Sequence, residues 1–223
     1  MMQTFHRFCQ WNQLPVDEAG FQCTIKSMID QDLISSEFSF ESSPYLSLSI
    51  RNLFSFLGCK FLLLIRDPKK VVQSHVNKGW YEKSFDQNNQ DLALGWQKAK
   101  HPHHYFGRIS PRGTYFNEWN NLSQVGKCAW YWKTLNSSIE EQFSKIPKDN
   151  WLIQKLEDLD FQAYQKITHF FGFKSSLGEE KFHQIVLRRP NATKTQIKEK
   201  VWNTKETEEY NHQVSEYAKK FGY

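Results

Sequence analysis

Lys60-Phe-Leu-Leu-Leu-Ile-Arg-Asp-Pro-Lys-Lys-Val-Val-Gln-Ser74 is the stretch on which the fold turns. Lys60 to Ile65 holds a short continuous apolar run. Its length and flanks predict a strand buried on both faces, as in a parallel sheet. Asp67 can cap the helix that follows, and Pro68 suits that helix's first position, where the N–H it lacks would be unpaired anyway. Val72, His75, Val76, Gly79 and Trp80 then fall on one helical face. Arg66 is thereby expected at the carboxyl end of the strand, the edge at which open α/β sheets bind ligands. A guanidinium stays charged and can grip two phosphate oxygens at once. Ser74, two turns into the helix, offers a hydroxyl to a phosphate lying beside it. The competing reading is an arginine salt-bridged at a strand end, followed by an ordinary Asp-Pro cap. The buried strand before it and the serine after it favour a binding role.

Working outward, Leu46, Ile50, Leu53, Phe54 and Leu57 have helical spacing, with Gly58 as the stop. Asp17 to Ser43 is mixed and shows no clear period. From Glu82 to Asn120 the chain is polar, aromatic and rich in turn residues, which predicts a long irregular insertion with a short helix near Asp91 to Lys100. Val125, Cys128, Trp132, Leu135, Ile139 and Phe143 form the apolar stripe of a helix over 124–145. Gly126-Lys127 is expected on that helix's surface. Trp151 to Leu156 reads as a second strand. Glu157-Asp158 is expected to start and cap the next helix, which presents Phe161, Tyr164, Ile167 and Phe171 and ends at Gly172. A last helix is expected over 204–222. Strands alternating with helices predict an α/β domain with a parallel sheet.

The chain has 223 residues, enough for one domain with a real core and marginal for two. At 16% aromatic residues it is expected to be globular rather than disordered. A net charge of +5 suits an anionic ligand but is too mild and dispersed for a nucleic-acid stripe, so no nucleic-acid partner is expected. Cys9, Cys23, Cys59 and Cys128 form no C-x-x-C pair, so scattered thiols are expected rather than a zinc knuckle. No run approaches a membrane span, and residues 1–10 lack the apolar core of a signal peptide. A cytoplasmic location follows as the expectation.

The Lys60 to Ser74 stretch resembles the 3′-phosphate-binding segment of PAPS-dependent sulfotransferases. Glu41-Ser-Ser-Pro-Tyr45 is similar to that family's Glu-Lys-Ser/Thr-Pro segment, with Ser42 where lysine is frequent. Leu152-Ile-Gln-Lys-Leu-Glu-Asp-Leu159 with Phe170-Phe-Gly-Phe173 resembles its Tyr-Glu-Asp-Leu unit ending in Phe-Leu-Gly. Lys219-Lys-Phe-Gly-Tyr223 resembles a Leu-Gly-Tyr ending. The resemblance covers roughly residues 38–223. It implies a P-loop-like three-layer fold, a central parallel sheet flanked by helices, in one domain over 1–223 with the 82–120 insertion. It also implies PAPS as cofactor, PAP as product, and transfer of a sulfuryl group to a hydroxyl or amine of a carbohydrate or small molecule. Arg66 and Ser74 would then hold the 3′-phosphate. Arg189, in Arg188-Arg189-Pro190-Asn191, matches by position and charge a basic segment that also touches it, though a solvated basic turn reads as well.

The family also uses a strand-to-helix loop near Ser-Gly-Thr-Thr for the 5′-phosphosulfate, where backbone N–H groups cradle the phosphate. No such loop reads before residue 41, where Gly20 is the one glycine. The expectation is a chain that begins inside the family's domain, since Thr4-Phe-His-Arg-Phe-Cys-Gln10 looks like the tail of a helix. A divergent, non-catalytic nucleotide-binding or interaction protein on the same scaffold is the alternative. Candidates for the base that takes the acceptor's proton are Glu41 and, in the His101, His103, His104 group, His104 beside Tyr105. Trp80, Tyr105, Tyr115 and Trp119 are candidate acceptor-facing aromatics or core. Sulfuryl transfer requires no metal, and none is expected.

Overall fold

Phe61–Ile65 forms strand β1 and pairs in parallel with β2, Trp151–Lys155, with Phe61 opposite Trp151 and Ile65 opposite Lys155. The computed structural model describes residues 2–82, 106–187 and 201–223. Over these residues the chain is mixed α/β and mostly helical, with a two-stranded parallel sheet. The helices are α1 (Met2–Asn12), α2 (Glu18–Asp32), α3 (Ile50–Leu57), α4 (Pro68–Asn77), α5 (Tyr115–Asn120), α6 (Gln124–Phe143), α7 (Phe161–Phe171), α8 (Glu179–Leu187) and α9 (Thr204–Lys219). Short 3-10 turns at Pro44–Leu46 and Lys148–Asn150 lead toward α3 and β2.

Strand alternation divides β1 between two faces. Phe61, Leu63 and Ile65 join the core, where Phe61 and Leu63 meet Ile50, Phe143 and Ile153. Leu64, on the other face, is 47% exposed. The expected burial on both faces therefore holds on one. With two strands among the described residues, only the face toward α3 and α6 is well covered.

Helix α6 is the central post. It packs along α4 and α9 and buries Val125, Cys128, Ala129, Trp132 and Leu135. Ser123 caps it by accepting from the Gly126 N–H. Gly126-Lys127 is not surface. Lys127 is 2% exposed, with its ammonium 5.2 Å from the Trp119 ring centroid and 3.5 Å from Asn120 Oδ1. A side chain at Gly126 would put its Cβ 2.7 Å from Glu209 Oε2, so the glycine permits α9 to approach. Glu209 in turn accepts from the backbone N–H and the hydroxyl of Ser123.

Helix ends follow local chemistry. Asp67 accepts from the Lys69 N–H at 2.8 Å, with Pro68 in the first turn. Gly58 and Gly172, with φ of 62° and 86°, close α3 and α7 in the left-handed region. Asn203 and Glu206 form a reciprocal capping box at α9. Helix α4 stops at Asn77, and Gly79, at φ 70°, turns the chain before Trp80, so Gly79 and Trp80 leave the expected helical face.

Part of the expected insertion is core. Residues 83–105, including the expected helix near Asp91 to Lys100, lie outside the described residues. Residues 106–120, however, contribute Ile109 and Trp119, both fully buried, and Phe116. The Tyr81 hydroxyl donates to the Ile109 carbonyl at 2.5 Å, tying this segment back to the end of α4. Trp119 packs edge-on against Tyr81 and Trp130 at 5.4 and 5.5 Å. Helix α2 was not readable in the mixed 17–43 segment; it buries only Phe21 and Ile25.

Among the described residues, no helix is long and apolar enough to cross a membrane. Trp119→Ala should destabilise the fold by about 3–5 kcal/mol, the usual cost of emptying a buried aromatic site. A shift of the urea unfolding midpoint at unchanged slope measures it; a loss under 1 kcal/mol would remove residues 106–120 from the core.

Candidate functional site

The carboxyl end of β1 is clamped at three successive residues. The Ile65 carbonyl accepts from the Leu156 N–H at 2.8 Å and lies 3.5 Å from the Tyr223 hydroxyl. The Arg66 carbonyl accepts from Trp132 Nε1 at 3.2 Å. The Asp67 N–H donates to Glu157 Oε1 at 3.1 Å. Strand β2, helix α6 and the C-terminus thus each hold the turn from β1 into α4.

The clamp engages the Arg66 backbone and leaves its side chain exposed. Among the described residues its guanidinium makes no hydrogen bond or ion pair. The salt-bridge alternative is therefore absent there, while the Asp67 cap is present. Ser74 lies on the side of α4 away from Val72 and Val76, the helix's buried residues. It is half-buried, and its hydroxyl has no hydrogen-bond partner among the described residues. Ser74 lies six positions beyond Pro68, or about 9 Å along the helix. An extended arginine running along the helix covers much of that distance.

Glu157 has a different job from the one expected. Helix α7 begins at Phe161, and Asp160 is its cap, accepting from the Ala163 N–H at 2.7 Å. Glu157 instead bridges the Asp67 N–H and the Tyr223 hydroxyl, which donates to Oε2 at 2.7 Å. Burial pushes its carboxyl up. The Tyr223 hydroxyl, the N–H groups of Asp67 and Glu157 itself, and the charge of Lys70 outweigh that and hold it below its ordinary value. Burial, followed by the Glu157 hydrogen bond, pushes the Tyr223 phenol well up. Lys155 lies 4.5 Å from the Tyr223 ring centroid and 3.7 Å from Asp158 Oδ2.

The other expected residues are not gathered here. Glu41 is exposed, makes no described hydrogen bond or ion pair, and follows Phe40, which packs against Phe171 and Phe173 at 5.4 Å each. No hydrogen bond or ion pair joins it to Arg66 or Ser74. His104, with His101 and His103, and Arg189 lie outside the described residues. Of the candidate aromatics, Trp119 is core, Trp80 stacks on His75 at 4.1 Å, and Tyr115 accepts from Gln213 Nε2 at 3.2 Å; Tyr105 lies outside the described residues. Two surface clefts of about 370 and 340 Å³, one against α7 and one between α1 and α2, do not include Arg66 or Ser74. Among the described residues no group of three or more His, Cys, Asp or Glu side chains is placed to hold a metal.

Sequence reasoning missed the parts of the clamp. Trp132 read as stripe, Glu157 as a cap, and Tyr223 as an ending. The available signal was the order strand, Glu, Asp, with a terminal tyrosine, which carries no distance information. No protein-family model, curated protein or solved structure matches the chain.

The clamp has a pH signature. A carboxyl held below its ordinary value in the fold stabilises above its unfolded value of about 4.3, and the contribution is lost as pH falls through the folded value. Wild type should therefore exceed Glu157→Gln in urea midpoint at pH 7, with the gap closing below about pH 4. The gap should be modest, because Glu157 is exposed. A gap constant from pH 7 to pH 3 contradicts the clamp.

Proposed function

We propose that this chain is a PAPS-dependent sulfotransferase, or a sulfotransferase-like part of one, in which Arg66 and Ser74 hold the 3′-phosphate. The observation that carries the reading is a guanidinium with no partner among the described residues, at the carboxyl end of a parallel strand and on a backbone fixed from three sides, with a serine hydroxyl likewise unpartnered among them on the helix that follows. Such a guanidinium fits a phosphate monoester, forming charge-assisted hydrogen bonds that a neutral ligand would not repay. The chain fits a single P-loop-like three-layer domain over 1–223, of which β1, β2 and their flanking helices would form part.

In this reading PAPS supplies the sulfuryl group, and the chain's residues position and deprotonate. Arg66 grips two oxygens of the 3′-phosphate, Ser74 donates to a third, and Arg189 adds charge. Glu41 or His104 accepts the proton of the acceptor hydroxyl or amine of a carbohydrate or small molecule as its oxygen or nitrogen bonds to sulfur. The sulfur–oxygen bond to the 5′-phosphate breaks, and PAP leaves.

A second reading is a non-catalytic PAP-binding protein on this scaffold. It is favoured by one observation: Glu41, the candidate base among the described residues, makes no hydrogen bond or ion pair with the Arg66 turn.

Calorimetric titration with PAP tests the shared part. Wild type should bind, and Arg66→Ala should bind about 10- to 150-fold more weakly, corresponding to ~1.5–3 kcal/mol for a lost charge-assisted contact. Equal affinity for the two proteins sinks the assignment. Turnover of PAPS with an acceptor mixture separates the readings: binding without transfer leaves the second.

A further inference from the structure

A second pair of cations lies inside the fold. Arg7 is fully buried, and Arg108 is 6% exposed. Among the described residues Arg7 is held by neutral groups: Nη1 donates to the Pro44 carbonyl at 3.1 Å and to Ser47 Oγ at 3.5 Å, and Nη2 to the Gly107 carbonyl at 2.8 Å and the Tyr131 hydroxyl at 3.1 Å. The Arg108 guanidinium lies 5.3 Å from the Trp80 ring centroid and makes no hydrogen bond or ion pair among the described residues. The Nε atoms of both arginines and Nδ1 of His75 are buried without a partner.

One aromatic frame joins the two. His75 stacks on Trp80 at 4.1 Å, and the two rings meet Tyr131 edge-on at 5.7 and 5.1 Å. Arg108 sits on the Trp80 side of this frame, and Arg7 holds the Tyr131 hydroxyl. The Tyr45 ring lies 4.8 Å from the Arg7 guanidinium, and the charges of both arginines act on its phenol. No described carboxylate acts on Arg108; the groups that do are Tyr81, Cys128 and Tyr45. His75 is neutral near pH 7, since burial, with Lys78 and Arg108 nearby, lowers it to about 4. Among the described residues, two buried positive charges thus face no fixed negative charge, an arrangement that burial strongly disfavours unless an anion joins them.

We propose that Arg7 and Arg108 form an internal site for one divalent tetrahedral oxyanion, sulfate or phosphate, separate from the Arg66 site. Charge sets the class: two fixed cations match a dianion better than a carboxylate. Geometry agrees, because Arg108 has its fork free for an oxyanion edge and Arg7, whose Nη groups are engaged, still has an unused Nε–H to add. The His75 Nδ1 and the Tyr45 hydroxyl are the neutral groups at hand to complete it.

The test uses the whole chain in chloride buffer at constant ionic strength, with sulfate, phosphate and acetate each titrated by calorimetry. Sulfate and phosphate should bind at one saturable site per chain and compete with each other, and acetate should not saturate it. Arg108→Met should weaken sulfate at least tenfold while leaving PAP affinity unchanged, and Arg66→Ala should leave sulfate affinity unchanged. Should Arg108→Met fail to fold by circular dichroism, Arg108→Lys, which keeps the charge and loses the fork, must still weaken sulfate. The proposal is overturned by any of four results: no saturable dianion binding, acetate binding as tightly as sulfate, displacement of sulfate by PAP, or undiminished sulfate binding in the folded Arg108 variant.

Discussion

The rest of the structure depends on the turn where β1 hands over to α4. Parallel pairing of Phe61–Ile65 with Trp151–Lys155 sets the direction of the chain there, and hydrogen bonds with Leu156, Trp132 and Glu157 fix Ile65, Arg66 and Asp67 in turn. Each bond alone is worth about 0.5–1.5 kcal/mol. Together they bind β2, α6 and the C-terminal Tyr223 to one short segment. A binding side chain needs such a platform, because ordering it at the moment of ligand capture would consume affinity. Arg66 receives its order through its backbone, and its guanidinium is unengaged among the described residues.

Charge is handled differently on the two sides of α4. On the outer side, Arg66, Lys69 and Lys70 are exposed, with Asp67 and Glu157 committed to backbone N–H groups. These carboxylates stabilise the turn without closing an ion pair on Arg66. On the inner side, His75 and Trp80 face Arg108, and the neutral groups around Arg7 and Arg108 supply dipoles rather than charge. One short helix thus separates an open cation from a buried pair. The two differ in desolvation: an exposed cation is open to the phosphate of a larger ligand, as proposed for Arg66, and a buried pair suits a small ion that can be enclosed.

Local patterns were legible in the sequence; convergence was not. The apolar run into Ile65, the Asp67-Pro68 cap, the Gly58 and Gly172 stops and the stripe of α6 all rest on neighbours within a turn or two, and those elements stand where the spacing places them. Glu157 was misread because its partners, Asp67 and Tyr223, are distant in sequence, and an acidic residue after a strand resembles a cap until those partners are known. Lys127 looked like surface because charge is usually solvated; here the close approach of α9 at Gly126 and the Trp119 ring enclose it. Residues 106–120 looked irregular because their aromatics lack a period, yet Trp119 and Ile109 are core by tertiary packing alone. Arg7 carries no local signal for the same reason: its partners lie at Pro44, Ser47, Gly107 and Tyr131.

The central claim is that the clamped turn presents Arg66 and Ser74 to a phosphate monoester. A crystal structure of the chain grown with PAP tests it most directly. The account predicts the 3′-phosphate with oxygens about 2.7–3.1 Å from the Arg66 guanidinium and from Ser74 Oγ, and the clamp around Ile65, Arg66 and Asp67 unchanged. PAP bound elsewhere, with Arg66 left in solvent, would contradict it.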